Sequence, residues 1–224
     1  MPEQTAPQPR IDIVSDAICP WCYIGKRHLE GALALLAPEG LRFEVQWRPY
    51  QLNPQMPPEG TDRAAFHVAK FGSAERARQL QARVTEAAAA AGLAFHTERI
   101  QRIPNTVAAH RTIWLAGQHG VQDAVVEALF RAYFIEALDI GDAAVLADVA
   151  AGAGLERGAV EAMLAGEAGR AEVLAADASA RGAGLDGVPS FLMSGHFLFS
   201  GAMPAERMAE AFRQAWTILR SQAA

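Results

Sequence analysis

Apolar positions follow period two near both ends of the chain and a helical period between them. Residues 11–15 (Ile-Asp-Ile-Val-Ser) alternate apolar and polar, which predicts a short strand. From Pro20 to Leu36 the positions Ile24, Leu29, Ala32, Leu33 and Leu36 follow helical spacing, and Pro38 with Gly40 ends the segment. Leu41, Phe43, Val45 and Trp47 share one face of a second strand over 41–50, stopped by Pro49. This β–α–β opening implies parallel strands joined by a crossover helix. From about residue 61 to 184 the pattern is helical, as in Val121, Val125, Val126, Leu129, Phe130, Tyr133 and Phe134. The Ala87–Ala91 run suits a helix, and Asp142 reads as the N-cap of another that contains Val145, Leu146 and Val149. Alternation returns in Phe191-Leu192-Met193 and Phe197-Leu198-Phe199, which flank Ser194-Gly195-His196 and predict a hairpin. A last helix is expected from Pro204 to Arg220.

The fold class is therefore α/β, and the β–α–β and β–β–α ends match a thioredoxin layout interrupted by a large all-helical insertion. The expected organisation is a loose Pro/Gln-rich tail over 1–10, one thioredoxin-like domain from 11–55 and 185–224, and the insertion over 56–184. The Pro-rich stretch 53–60 serves as the linker into it. The 224 residues, 51% hydrophobic and 20% charged, supply enough apolar material for such a core. A net charge of −5 argues against a nucleic-acid partner. No apolar run reaches the ~18–20 residues of a membrane helix, so no membrane partner is expected. The first ten residues lack a basic start and an apolar h-region, from which a cytoplasmic location is expected.

The two cysteines, Cys19 and Cys22, stand two residues apart where the first strand meets the first helix. A helix N-terminus presents unsatisfied N–H groups and a partial positive charge, which favour a thiolate. Positions three apart share a helix face, at the Cα separation a disulfide needs. Pro20 suits the first helical turn. These points assign Cys19 as the more exposed, more acidic, attacking thiol and Cys22 as the buried resolving thiol. The expected chemistry is exchange with a thiol- or disulfide-containing protein or small molecule. A structural zinc would need four ligands, and no second cysteine pair exists. Two merely structural cysteines are the other alternative.

The segments Ser15-Asp16-Ala17-Ile18-Cys19-Pro20-Trp21-Cys22-Tyr23-Ile24-Gly25, Asn105-Thr106-Val107-Ala108-Ala109-His110-Arg111, Gly187-Val188-Pro189-Ser190-Phe191 and Ser200-Gly201-Ala202 together resemble DsbA-like oxidoreductases of the FrnE type. The resemblance implies a thioredoxin domain with a helical insertion and a redox-active Cys19–Cys22 disulfide in place of a bound cofactor. It also implies a cis Val188–Pro189 bond beside Cys19, where the residues alone read as a trans loop proline before a strand. Related families are the 2-hydroxychromene-2-carboxylate isomerases and kappa-class glutathione transferases, which typically carry serine at the position matching Cys19. They make glutathione a possible co-substrate and a glutathione-dependent isomerase or transferase the alternative activity. DsbA itself has a histidine where this chain has Trp21, which cannot become cationic. Strong oxidising power therefore does not follow.

The resemblance also brings Asn105 and His110 to the border of the site, with Pro20, Trp21, Val188 and Pro189 on its substrate face. Helix capping is the plainer role for Asn105 and Thr106, and a surface or core role for His110. Trp21 offers an apolar lip beside the thiol, or packs against the insertion. His28 is expected at the surface, and Trp47, Phe130 and Phe134 in the core.

Overall fold

The structure is a computed structural model and describes residues 9–223. Strand β1 (Arg10–Ser15) leads through a short loop into helix α1 (Pro20–Leu36), and strand β2 (Glu44–Pro49) follows. The insertion contributes β3 (Thr61–Asp62), α2 (Arg63–Phe71), α3 (Ala74–Ala90), β4 (Arg102–Ile103), α4 (Val107–Gln118), α5 (Gln122–Phe134), α6 (Ala143–Gly152), α7 (Arg157–Ala165) and α8 (Arg170–Gly182). The chain closes with β5 (Ser190–Met193), β6 (His196–Ser200) and α9 (Ala205–Ala223). The main sheet has the order β2-β1-β5-β6. Ile13 in β1 lies opposite Trp47 of the parallel β2 and opposite Phe191 of the antiparallel β5.

Several boundaries follow the sequence pattern closely. α1 spans Pro20–Leu36, and Asp142 caps α6 by accepting from the amides of Ala144 and Val145. Other features differ for local reasons. Of the tail expected over 1–10, residues 1–8 lie outside the described residues, while Arg10 already belongs to β1. β2 begins at Glu44 because Leu41 N–H turns back to the Leu36 carbonyl, closing α1 around Gly40 at φ 75°. Pairing then starts where Glu44 N–H meets the Pro9 carbonyl at 3.0 Å. The hairpin turn contains two residues, Ser194 and Gly195, both at positive φ, and His196 is already in β6. The insertion is helical apart from the two-residue ladder β3–β4, which pairs Thr61 with Ile103.

Two aromatic groups stand within one continuous apolar core. Phe191, Phe199 and Phe212 stack between the sheet and α9, with Phe43 at their edge. On the other side of α1, Tyr23 stacks on Phe95, Phe130 and Phe134, and Trp47 meets Phe130 edge-on. This second cluster is the seam between the thioredoxin unit and the insertion. Trp47, Phe130 and Phe134 are buried in it, as their helix and strand positions required. No helix among the described residues is long and apolar enough to cross a membrane.

Candidate active site

Cys19 is the N-cap residue of α1, with Pro20 in the first turn. No side chain caps this end and no carboxylate occupies the first turn, so nothing competes for the positive pole of the helix. The Cys22 amide donates to the Cys19 carbonyl at 3.0 Å, which sets the second cysteine one turn behind the first. Both cysteines are free thiols.

The peptide bond between Val188 and Pro189 is cis. The Cys19 thiol lies 3.6 Å from the Val188 carbonyl oxygen. The loop is held from below: the Gly201 amide donates to the Pro189 carbonyl at 2.8 Å, and the Ser190 hydroxyl bonds to Gly187 O and to Ser200 Oγ. It also rests directly on α1. A Cβ placed on Gly25 would stand 3.0 Å from Pro189 Cγ, so glycine at 25 permits this approach.

The expected contrast between an exposed and a buried thiol needs correction. Cys19 is 3% exposed and Cys22 is 0% exposed, so both are covered. The Val188–Pro189 loop is what screens Cys19. Trp21, by contrast, is 41% exposed and presents apolar surface at the start of the helix. Burial raises the Cys22 thiol well above its ordinary value, and the neighbouring Cys19 adds to the shift. The Ser15 side chain and the Asp16 backbone pull it partly back.

Behind the cysteines, residues 50–52 are gripped by polar groups from three directions. The Tyr50 amide donates to Ser15 O at 3.0 Å. The Leu52 amide donates to Asp16 Oδ2, and the Gln51 amide to Asp177 Oδ1 on α8, both at 2.7 Å. Arg181, also on α8, reaches the Gln51 carbonyl and lies over the Tyr50 ring. His110 on α4 approaches the Tyr50 carbonyl with Nε2 at 3.2 Å. The same nitrogen stands 3.2 Å from Asp16 Oδ1. That second approach is an electrostatic contact, because Oδ1 of the fully buried Asp16 lacks a well-aligned donor.

The residues expected near the site therefore divide. Cys19 meets Val188, Pro189 rests on α1 at Gly25, Pro20 and Trp21 form the first turn of that helix, and Cys22 is buried one turn behind Cys19. His110 lies behind them, in contact with Asp16. Asn105 spends both ends of its amide inside the protein: Nδ2 donates to Met56 O at 2.7 Å and Oδ1 accepts from the Val107 amide. It caps α4 and ties down the linker, while Thr106, the N-cap residue itself, makes no side-chain cap bond. His28 corrects a simple surface assignment, since its Nδ1 is 2.9 Å from the Met203 carbonyl.

Sequence patterns alone missed four further residues. Asp16, Asp177 and Arg181 form the grip on 50–52. Arg111 is buried in α4 and donates to the carbonyls of Met163, Gly166 and Ala168, closing the C-terminal end of α7. Asp16 lies in the loop after β1, where no helix face marks it. For Asp177 and Arg111 the signal is an ionisable residue on the buried face of a helix, which names no partner. Lys26 is similar: burial opposes its charge, but Glu30, Asp123 and Glu127 outweigh burial and raise its affinity for the proton.

Comparison with known proteins agrees with this geometry. The family described as DSBA-like thioredoxin domain matches residues 10–213. A solved structure described as a probable DsbA oxidoreductase from Streptomyces coelicolor is 35% identical, with a TM-score of 0.85, covering 94% of this chain and 91% of that one. A 2-hydroxychromene-2-carboxylate isomerase superposes with a TM-score of 0.67 at 16% identity, over 96% and 98% of the two chains. The cytosolic disulfide reductase DsbM from Pseudomonas aeruginosa, solved with glutathione, gives 0.62 at 18% identity, again over 96% and 98%. These last two likenesses concern the fold. A curated relative, the uncharacterized protein YwbO of Bacillus subtilis, is 25% identical over 146 residues, and the match spans about two thirds of its length. With its cysteine pair at a helix start beneath a cis-proline loop, the chain belongs to the DSBA-like thioredoxin domain family.

Proposed function

We propose that the protein is a thiol–disulfide oxidoreductase in which Cys19 attacks and Cys22 resolves. The observation that carries this reading is the meeting of the Cys19 thiol with the Val188 carbonyl at 3.6 Å, at the uncapped N-terminus of α1. An extended substrate segment would pair with the Val188 backbone and bring its own sulfur to Cys19. Trp21, Pro20 and Pro189 would form the apolar surround. Cys19 exchanges with the substrate disulfide to give a mixed disulfide and one free substrate thiol. Cys22 then attacks the Cys19 sulfur, releasing the second substrate thiol and leaving the Cys19–Cys22 disulfide. The burial of Cys22 suits this order, because a thiol held protonated does not compete for the first attack.

Substrates are disulfides of proteins or small molecules. The bound glutathione of the DsbM neighbour supports glutathione as the reductant that recycles the dithiol, and the description of that neighbour as cytosolic supports a cytoplasmic setting. The deciding experiment is reduction of a protein disulfide such as insulin, with trapping of the mixed disulfide. Cys22→Ser is expected to accumulate a Cys19-linked adduct, and Cys19→Ser to lose both adduct and turnover. Full activity in Cys19→Ser would overturn the assignment. The second reading, a glutathione-dependent isomerase, draws on the fold shared with the chromene-carboxylate enzyme. It predicts glutathione binding by calorimetry and turnover of an aromatic substrate that survives Cys22→Ser.

A further inference from the structure

One side of α1 follows the returning chain contact by contact. Gly25 meets Pro189, His28 meets Met203, and Gly31 meets Ala205, where an added Cβ would stand 3.0 Å from the Ala205 Cβ. Positions three apart are neighbours on a helix surface, so these contacts run in order along the helix. The two glycine contacts are van der Waals approaches, which limit distance but not direction. The middle one is directional: His28 Nδ1 stands 2.9 Å from the Met203 carbonyl oxygen. A carbonyl only accepts, so Nδ1 carries the hydrogen and donates it. Among the described residues no other hydrogen bond joins α1 to residues 200–205.

From Met203 the bonding continues to the proline loop. The Met203 amide donates to the Gly201 carbonyl at 3.0 Å, and the Gly201 amide donates to the Pro189 carbonyl at 2.8 Å. Pro189 follows Val188, whose carbonyl oxygen stands 3.6 Å from the Cys19 sulfur. The run of bonds therefore begins and ends at the same helix, because Cys19 is the N-cap residue of α1 and His28 lies further along it. The bonds of Ser190 to Gly187 O and Ser200 Oγ hold the loop to β6 and to itself. His28 is what refers the loop, by a directional bond, to the helix that carries the attacking sulfur.

We propose that His28 is a positioning residue for the substrate-pairing backbone: through Met203 and Gly201 it sets the place of Val188 relative to Cys19. The inference rests on the oxidoreductase reading and deepens it, because it separates two classes of disulfide. A substrate with an extended backbone must pair with Val188 while its sulfur reaches Cys19, so both demands are met in one geometry. A small disulfide without a backbone needs only the sulfur. The His28 bond therefore serves peptide and protein disulfides and not small ones. The exchange itself is the same for both. The Cys19 thiolate forms a bond to one sulfur as that sulfur's bond to its partner breaks, and the partner leaves as a thiolate with the electron pair. His28 takes part in neither bond change.

The test uses the full reduced protein and two probes that release the same coloured thiolate. One is 5,5′-dithiobis(2-nitrobenzoate). The other is an extended peptide whose single cysteine carries 5-thio-2-nitrobenzoate as a mixed disulfide. His28→Leu removes the donor at similar size. The rate constant with the peptide is expected to fall about tenfold, while that with the small probe is not lowered. His28→Asn can donate from nearly the same place as Nδ1 and should recover most of the peptide rate. A role in stability alone would lower the denaturation midpoint and leave the ratio of the two rate constants at its wild-type value. An unchanged ratio in His28→Leu, or a loss that His28→Asn does not recover, would overturn the proposal. His28→Ser, too short to reach Met203, carries the test if His28→Leu does not fold. Failure of the oxidoreductase reading looks different: from either probe the wild type would release no more thiolate than Cys19→Ser.

Discussion

Two of the places where the insertion meets the thioredoxin unit are built on opposite principles. The seam under α1 is aromatic: Tyr23, Phe95, Phe130, Phe134 and Trp47 bury rings against one another. The grip on residues 50–52 is polar: His110, Asp177 and Arg181 of the insertion bond one short stretch of backbone that Asp16 holds from within the thioredoxin unit. The seam contributes by removing area from water and tolerates changes of detail. The grip adds little net stability per bond but fixes positions, because any buried polar group left without a partner is costly. Seam residues Trp47 and Phe130 share a small cavity with Ser15 and Ala17, but it is the grip that hydrogen-bonds to the loop before Cys19.

The largest expected effect tests the first half of this contrast. Phe130→Ala should cost about 3–5 kcal/mol in chemical denaturation. The same variant, where folded, should react with a disulfide within about twofold of the wild-type rate, since its lost packing moves no cysteine-loop hydrogen bond. A much larger loss of rate would make the seam part of the active site. Asp177→Ala should show the reverse balance. It strands the Gln51 amide and loosens the partly exposed Arg181, costing about 1–3 kcal/mol after allowance for solvent. Its exchange rate should fall about tenfold, because Tyr50 and Leu52 hold Ser15 and Asp16, just ahead of Cys19. A rate unchanged within error would reduce the grip to a fold stabiliser.

Smaller effects sharpen the picture at the rim of the seam. Tyr23→Phe removes the 2.8 Å hydrogen bond to Glu127 Oε1 and should cost about 1 kcal/mol or less at neutral pH. Burial, and after it Glu127, pushes the Tyr23 phenol up from 10.0 to about 12, against the pull of Arg27. The folded state therefore holds this proton more tightly than the unfolded chain. The associated stability is present in full below pH 10 and is lost as pH rises through about 12. Denaturation midpoints of wild type should consequently approach those of Tyr23→Phe over that alkaline range. Parallel curves would mean that the phenol is not held as its contacts imply.

The same contrast explains what could be read from the chain. Rings of the seam announce themselves through helical spacing, as with Phe130 and Phe134, or strand alternation, as with Trp47. α1 was readable to its ends because Pro20 and Gly40 punctuate it, and the α6 cap because Asp142 precedes an apolar run. The polar grip was not readable, because each of its partners is remote: 36 residues separate Asp16 from Leu52, and 126 separate Gln51 from Asp177. His110 was found through a resemblance, and its contact with Asp16 only through the coordinates. The resemblance put Val188–Pro189 beside Cys19 across 169 residues, but not the burial of the thiol.

The sheet order carries a last consequence, for the growing chain. β1 sits between β2 and β5, and Ile13 is paired with Phe191 only after the whole insertion has been made. At ribosomal speeds of roughly 5–20 residues per second, that interval is about ten seconds or longer. Throughout it the cysteine pair has left the ribosome without the strand and the proline loop that will cover it. Its thiols are then open to whatever oxidant or partner the surroundings hold. Nascent-chain alkylation should find both cysteines reactive until β5 emerges and protected soon afterwards.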